Sequence, residues 1–275
     1  MHSMEEINFG KYLSNPKNVE IALNLLDKES LELDFYDLFR SFERNLAIEN
    51  GDGFPITGVV LGGRICRARL NTDDFKIATS ISQIGAKNSN ISQGRANPNN
   101  ISVFYGTNNK KTATMEILQS ERIGHHIVTI GCWESNTDLR VANLIDGSDP
   151  DFKDLIFAHS MPKEYVKGWP DPQRLSAMLL IDYFREKFKQ SPNPGLYNIT
   201  NVIAAICYSL QEIDGIGYAA ISDKFGGFNI AIPNPSNLKC VEVERWFINK
   251  INNEEFEYML MAKGSIAKDG KISWP

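Results

Sequence analysis

GRANPNNISVFYGTNNKKTATMEI, residues 94–117, is the most informative run in this 275-residue chain. Gly94-Arg95-Ala96-Asn97-Pro98 closes a long polar loop, and Ile101-Ser102-Val103-Phe104-Tyr105 follows as an apolar and aromatic run that predicts a strand over Ile101–Gly106. Thr112-Ala113-Thr114-Met115-Glu116 then opens a short helix reaching about Gln119. The succession puts an arginine in a loop, a tyrosine at a strand end and a carboxylate in a helix's second turn. Each has an ordinary reading by itself. Arg95 suits a loop salt bridge, Glu116 a solvated helix surface and Tyr105 a core ring with a bonded hydroxyl.

Working outward, Ile56–Leu61, Arg64–Leu70, Ile127–Trp133 and Leu139–Ile145 also read as strands. Residues 71–100 are rich in Ser, Asn and Gly, and a loop of that length is more often functional than merely connecting. Toward the N-terminus, Ser14-Asn15-Pro16 supplies a cap with proline at the first helical position, and Val19, Ala22, Leu23 and Leu26 then share a face. A second helix carries Phe35, Leu38, Phe39, Phe42 and Leu46, and Gly51-Asp52-Gly53 with Pro55 ends it. The apolar stripe of this helical pair needs a cover, from the rest of the chain or from a partner.

Toward the C-terminus, Asp171-Pro172 starts a helix with Leu175, Met178, Leu179 and Phe188 on its expected buried side, and another is expected from about Asn198 to Glu212. Gly217–Ser222 and Phe228–Pro233 read as a hairpin joined through Asp223-Lys224-Phe225-Gly226-Gly227. Cys240–Trp246 and Phe256–Ala262 add two β runs before a polar end. The expected class is α+β. Residues 1–53 form a helical N-terminal extension, 54–240 the main domain and 241–275 a C-terminal β and polar extension.

Apolar residues make up 42% of the chain, enough for a sizeable core. The net charge of −5 argues against direct nucleic-acid binding, which needs lysine and arginine in excess. No apolar run approaches the ~18–20 residues of a membrane span, and Met1–Gly10 lacks a basic-then-apolar layout, so the expectation is a cytoplasmic protein without a membrane role. Cys66, Cys132, Cys207 and Cys240 form no CxxC pair and read as small buried hydrophobes rather than disulfide or zinc partners. His125 and His126 are adjacent and on a strand would point to opposite faces, so no metal is expected. Gly51, Gly53 and Gly58 do not make GxGxxG, and no P-loop or GxSxG is present.

Residues 94–117 resemble the signature of the RES domain family, in which GR-x-N-P precedes a strand ending in Tyr and a helix opens with TA-x-x-E. Upstream, Cys66-Arg67-Ala68-Arg69 resembles the strand carrying that family's first arginine. Downstream, Gly215-Ile216-Gly217-Tyr218-Ala219-Ala220-Ile221-Ser222 and Gly227-Phe228-Asn229-Ile230-Ala231-Ile232 resemble its last strand pair. Asp138-Leu139-Arg140 and Tyr197-Asn198-Ile199-Thr200 are supporting matches. The likeness runs in order over residues 56–233. It departs at Asn99-Asn100, where the family often has a glycine second, at Cys66, where an aromatic is common, and in the leader and tail.

The resemblance implies an ADP-ribosyltransferase-like mixed β core with flanking helices, and NAD⁺ as substrate. Departure of neutral nicotinamide leaves an oxocarbenium-like ribose, and a carboxylate beside it stabilises that charge. Glu116 takes this role. Diphosphate calls for planar bidentate donors, so Arg67 and Arg95 become phosphate contacts, joined by Arg69 on the same strand face as Arg67. Tyr105 would flank the nicotinamide ring, Ser222 would orient the ribose or Glu116, and Asn229 would brace the hairpin or touch ligand. Catalysis is thus expected of Glu116, Arg67, Ser222 and Tyr105. By resemblance the activity is NAD⁺ depletion by a toxin or defence effector, and the partner is an Xre-type helix-turn-helix antitoxin or another inhibitor protein. Two other readings stand beside it. The same site could transfer ADP-ribose to a protein, or the chain could be a non-catalytic binding module working through its N-terminal helices.

Overall fold

The computed structural model describes residues 15–46, 56, 58–61, 63–72, 77–86, 94–98, 101–145, 171–190, 194–210, 213–220 and 227–275. In chain order the helices are α1 Pro16–Glu29, α2 Phe35–Leu46, α3 Lys110–Leu118, α4 Asp171–Lys189 and α5 Pro194–Ser209. The strands are β1 Gly58–Leu61, β2 Ile65–Leu70, β3 Val103–Thr107, β4 Gly124–Ser135, β5 Leu139–Leu144, β6 Gly215–Ala219, β7 Phe228–Pro233, β8 Leu238–Lys250, β9 Phe256–Ile266 and β10 Ile272–Ser273. The class is α+β, and the strand pairing is mostly antiparallel. Among the described residues no helix is long and apolar enough to cross a membrane.

The chain divides differently from the three segments expected. One unit comprises Met1–Val60, Ser92–Ile101 and Arg140–Tyr218; the other comprises Leu61–Ile91, Ser102–Leu139 and Ala219–Pro275. The tail is not an appendage, because β8 pairs with β4 from Gly124↔Lys250 to Ser135↔Leu238.

In the first unit the leader helices find their cover. Asn15 caps α1 by accepting a hydrogen bond from the Lys17 amide (3.1 Å), with Pro16 at the first helical position. Val19, Ala22, Leu23 and Leu26 are buried as the periodicity requires, with α1 against α4 and α2 against α5. Phe42 packs on Phe184 at 5.9 Å between ring centres. Polar groups lock the helices together. Tyr183 donates to Asp27 (2.8 Å), Lys187 pairs with the same carboxylate (2.6 Å), and Asn198 donates to the Ser30 and Leu33 carbonyls. The buried side of α4 is Ser176, Ala177, Leu180, Ile181, Phe184, Arg185 and Phe188, so Phe188 is buried as expected while Leu175 is half exposed. Small Ser176 and Ala177 allow the close approach that bulky Leu175 marked wrongly. α5 begins at Pro194, earlier than Asn198. β5 and β6 pair in parallel through Val141↔Gly215 to Leu144↔Tyr218.

In the second unit the strand order is β7-β3-β2-β4-β8-β9-β10, every neighbouring pair being antiparallel. One face packs on α3 through Cys66, Ala68, Val128, Ile130, Cys132 and Ile248, against Ala113 and Leu118 of the helix. Part of the expected 71–100 loop covers the other face as a 3-10 turn, Ile81–Gln83, followed by fully buried Ile84. This turn is held by Ile81 N–H to Gly270 O (2.9 Å), Ile272 N–H to Thr79 O (2.8 Å) and Trp274 Nε1 to Ala78 O (2.7 Å). A Cβ on Gly131 would lie 2.5 Å from Trp133 and 2.8 Å from Ile84, so glycine is what lets the turn reach the sheet.

The cysteine expectation is corrected in part. Cys66 and Cys132 are directly opposed on β2 and β4 and form a disulfide, while Cys207 and Cys240 are buried thiols. Opposed residues of an antiparallel pair share a face, which is how positions 66 apart in sequence meet.

Lys250 is buried at 1% exposure and donates to the Leu118, Gln119 and Glu121 carbonyls at 2.8, 3.3 and 2.7 Å. It therefore caps the C-terminal end of α3 from β8 and complements that end's negative dipole. Lys250→Met keeps the aliphatic stem but strands these carbonyls. We expect a loss of roughly 2–4 kcal/mol in urea unfolding; an unchanged midpoint would remove the cap from the account.

Candidate functional site

The corner between β3 and α3 is built from two asparagines. Asn109 caps α3 by accepting from the Thr112 amide (2.8 Å), and Asn108 accepts from the Phe228 amide (2.9 Å), which ties the corner to β7. Thr107 donates to the Asn109 carbonyl at 2.6 Å. A Cβ on Gly227 would sit 1.9 Å from the Thr112 hydroxyl oxygen, so only glycine lets this backbone pass so close.

Two polar atoms here are buried without a hydrogen-bonding partner, the Thr112 hydroxyl and the Asn229 side-chain amide nitrogen. Register places their neighbours. Thr107 pairs with Asn229 and Tyr105 with Ala231 across β3 and β7, and Thr107 also pairs with Cys66, whose side chain faces α3. Side chains two apart share a face, so Tyr105 and Asn229 both belong to the α3 face. Half-buried Glu116 lies one helical turn beyond Thr112, on the same stripe of α3. Tyr105, Glu116 and Asn229 are therefore gathered on this side of the sheet.

Arg67 and Arg69 are not. Cys66 and Ala68 point to α3, so the intervening arginines point the other way. There the Arg67 guanidinium stands 5.5 Å over the Phe104 ring, and Phe104 packs edge-on against Trp133. Arg67 Nη1 and Arg69 Nε and Nη2 are buried with no partner. Burial first, and the neighbouring Arg69 charge second, push the Arg67 pKa down to about 9. Burial also lowers that of Arg69. A third arginine joins this face. Thr129 pairs with Arg69 on one side and with Arg245 of β8 on the other, and Arg245 Nε is likewise buried without a partner. Arg245 was not legible in the sequence, because its place depends on a register set by long-range pairing.

Arg95 belongs to the first unit, and its surroundings there are structural. It donates to the Phe188 carbonyl at the end of α4 and lies 5.0 Å over the Tyr218 ring. The rest of the GR-x-N-P segment is bolted to α5. The Asn97 amide donates to Asn201 Oδ1 (2.7 Å), Tyr208 donates to the Ala96 carbonyl (3.2 Å), and Asn97 Nδ2 closes the loop on Ile101 O (3.0 Å). Ser222 lies outside the described residues. Among the described residues there is no group of three or more His, Cys, Asp or Glu able to hold a metal. His125 stacks on Phe247 and His126 bonds the Arg122 carbonyl.

An ion cluster fixes the first turn of α3 over the sheet. Lys110 Nζ reaches Glu244 at 2.8 Å and Glu242 at 3.0 Å, Lys263 adds a contact to Glu244 (3.3 Å), and Trp246 Nε1 donates to the same carboxylate (2.8 Å). Burial alone would raise the Glu244 pKa, but the Lys110 and Trp246 hydrogen bonds and the Lys110 charge outweigh it and hold it below the usual carboxylate value.

No family model matches the chain, and no curated protein matches it.

A depressed folded-state pKa means that Glu244 contributes stability above its unfolded pKa and loses it as pH falls through the folded one. Thermal melts from pH 6 to pH 3 should therefore show Glu244→Gln less stable than wild type at pH 6, the two converging at the acid end. A constant difference across the range would contradict this.

Proposed function

We propose that this chain cleaves NAD⁺ at the bond between nicotinamide and ribose. The observation that carries the reading is the gathering of Glu116, Tyr105, Asn229 and Thr112 on one face of the second unit, where the Asn229 amide nitrogen and the Thr112 hydroxyl are buried without a hydrogen-bonding partner. Buried donors and acceptors are rarely left unmade without a ligand or water to meet them. The ordered likeness to the RES domain, with its ADP-ribosyltransferase-like fold, supplies the chemical class.

In this reading the Glu116 carboxylate stabilises positive charge on the ribose as the glycosidic electron pair leaves with neutral nicotinamide. Water or phosphate then adds to the anomeric carbon and loses its proton. Tyr105 offers a flat ring for the nicotinamide, and Asn229 and Thr112 offer polar contacts to the ribose. Arg67 and Arg69, expected as the diphosphate contacts, stand on the opposite sheet face and do not meet an NAD⁺ whose ribose sits at Glu116. Arg95 is left aside, since the first unit already uses it. Transfer of ADP-ribose to a protein shares every step but the acceptor. A purely binding role for the leader helices is weakened, because α4 and α5 already cover their apolar stripe.

An NAD⁺-depleting toxin or defence effector held by an Xre-type antitoxin is the biological setting we infer. The Cys66–Cys132 bond argues against a reducing compartment, where structural disulfides are rare.

The test is to incubate the purified protein with NAD⁺, with and without phosphate, and follow nicotinamide. Glu116→Ala should slow release at least ~100-fold. Undiminished release by that variant, or none by the wild type, would sink the proposal. Labelled NAD⁺ with cell lysate separates the acceptors: a labelled protein band marks transfer, and free ADP-ribose products mark degradation.

A further inference from the structure

We propose that Arg69 and Arg245, bracketing Thr129 on the sheet face turned away from α3, form a binding site for a diphosphate-class anion, with Arg67 as its third positive group. The row Arg69↔Thr129↔Arg245 crosses three adjacent strands, so the two arginine Cα atoms stand about 10 Å apart. Arg67 lies two residues along β2, about 7 Å from Arg69 and on the same face. That spacing lets three long side chains close on one extended anion. Arg245 lies beyond residues 56–233, so nothing in the family likeness points to it.

Among the described residues the positive charge on this face has no opposite charge to answer it. Arg67 Nη1, Arg69 Nε and Nη2 and Arg245 Nε are buried and unbonded, and among the described residues no carboxylate pairs with these arginines. The strand's own acids are on the other side. Alternation along β8 turns Glu242 and Glu244 toward α3, where Lys110 and Lys263 take them, and turns Val243 and Arg245 away. The Thr129 hydroxyl is committed to Asn71 Oδ1 at 3.0 Å. Other buried charges are treated differently. Lys250 has three carbonyls, and Glu244 has two lysines and a tryptophan. Burial of guanidinium groups without partners is costly, and a doubly charged phosphate group offers the paired oxygens that their planar forks bind bidentately. Several forked donors exceed what one monophosphate needs, which favours a diphosphate. The lowered Arg67 and Arg69 pKa values accord with charge awaiting a counter-ion.

The inference stands apart from NAD⁺ cleavage, although the diphosphate of a dinucleotide is one possible source of the anion. Calorimetry on the full chain with inorganic pyrophosphate should give saturable binding that weakens with salt. Arg245→Met and Arg69→Met should each weaken it at least 10-fold. Arg64→Met, at an exposed arginine paired with Glu134, should leave it unchanged. The ligand-free melting temperature of Arg245→Met should equal or exceed that of wild type. Absence of pyrophosphate binding, wild-type affinity in Arg245→Met, or a lower ligand-free melting temperature in that variant would overturn the proposal. Binding of ADP-ribose in place of pyrophosphate shows whether a nucleotide carries the diphosphate. If it binds through Arg245 while no nicotinamide is released, the anion site stands and the cleavage reading falls.

Discussion

Side chains alternate along a strand, and in β2 that alternation governs everything around it. Ile65–Leu70 runs between β3 and β4, with Cys66 and Ala68 packed on α3. Once those two face the helix, Arg67 and Arg69 must face the other way. A one-residue slip would drive two guanidinium groups into the apolar contact with Ala113 and Leu118. The Cys66–Cys132 bond pins the same register covalently, and Lys250 fixes the helix end on the same face. The two faces of one strand thus receive opposite chemistries.

Buried polar groups in the second unit fall into two kinds. Lys250 and Glu244 are fully answered by carbonyls and opposite charges, as expected where polarity serves the fold. Thr112, Asn229, Arg67, Arg69 and Arg245 each keep a buried atom unanswered. Groups that weaken a fold are retained where they serve something else, and functional sites commonly trade stability in this way. Tyr105 and Glu116 keep company with the first two of these. The three arginines make their own face.

Much of the fold was legible because its signals are local. Asn15-Pro16 starts α1, the 3.6-residue spacing marks α2, and β-branched residues mark β4 and β7. The register of distant strands was not legible. It decides that Cys66 opposes Cys132, that β8 belongs to the body of the sheet, and that Arg245 stands in the row of Arg69. For the site, the sequence picked out Tyr105, Glu116, Arg67 and Asn229 but not the sheet face of each, which only packing against α3 settles. Arg95 shows the converse. In a loop it reads as a free phosphate donor, yet Phe188 and Tyr218, distant in sequence, occupy it.

The central claim is that the β2 arginines are held for a ligand and not for the fold. It is tested most directly by the unfolding free energy of the Arg67→Met, Arg69→Met double variant without ligand. Replacing unpaired buried cations by apolar groups of similar length should leave stability equal to or above wild type. A loss of about 2 kcal/mol or more would mean that the arginines serve the fold, and would contradict the claim.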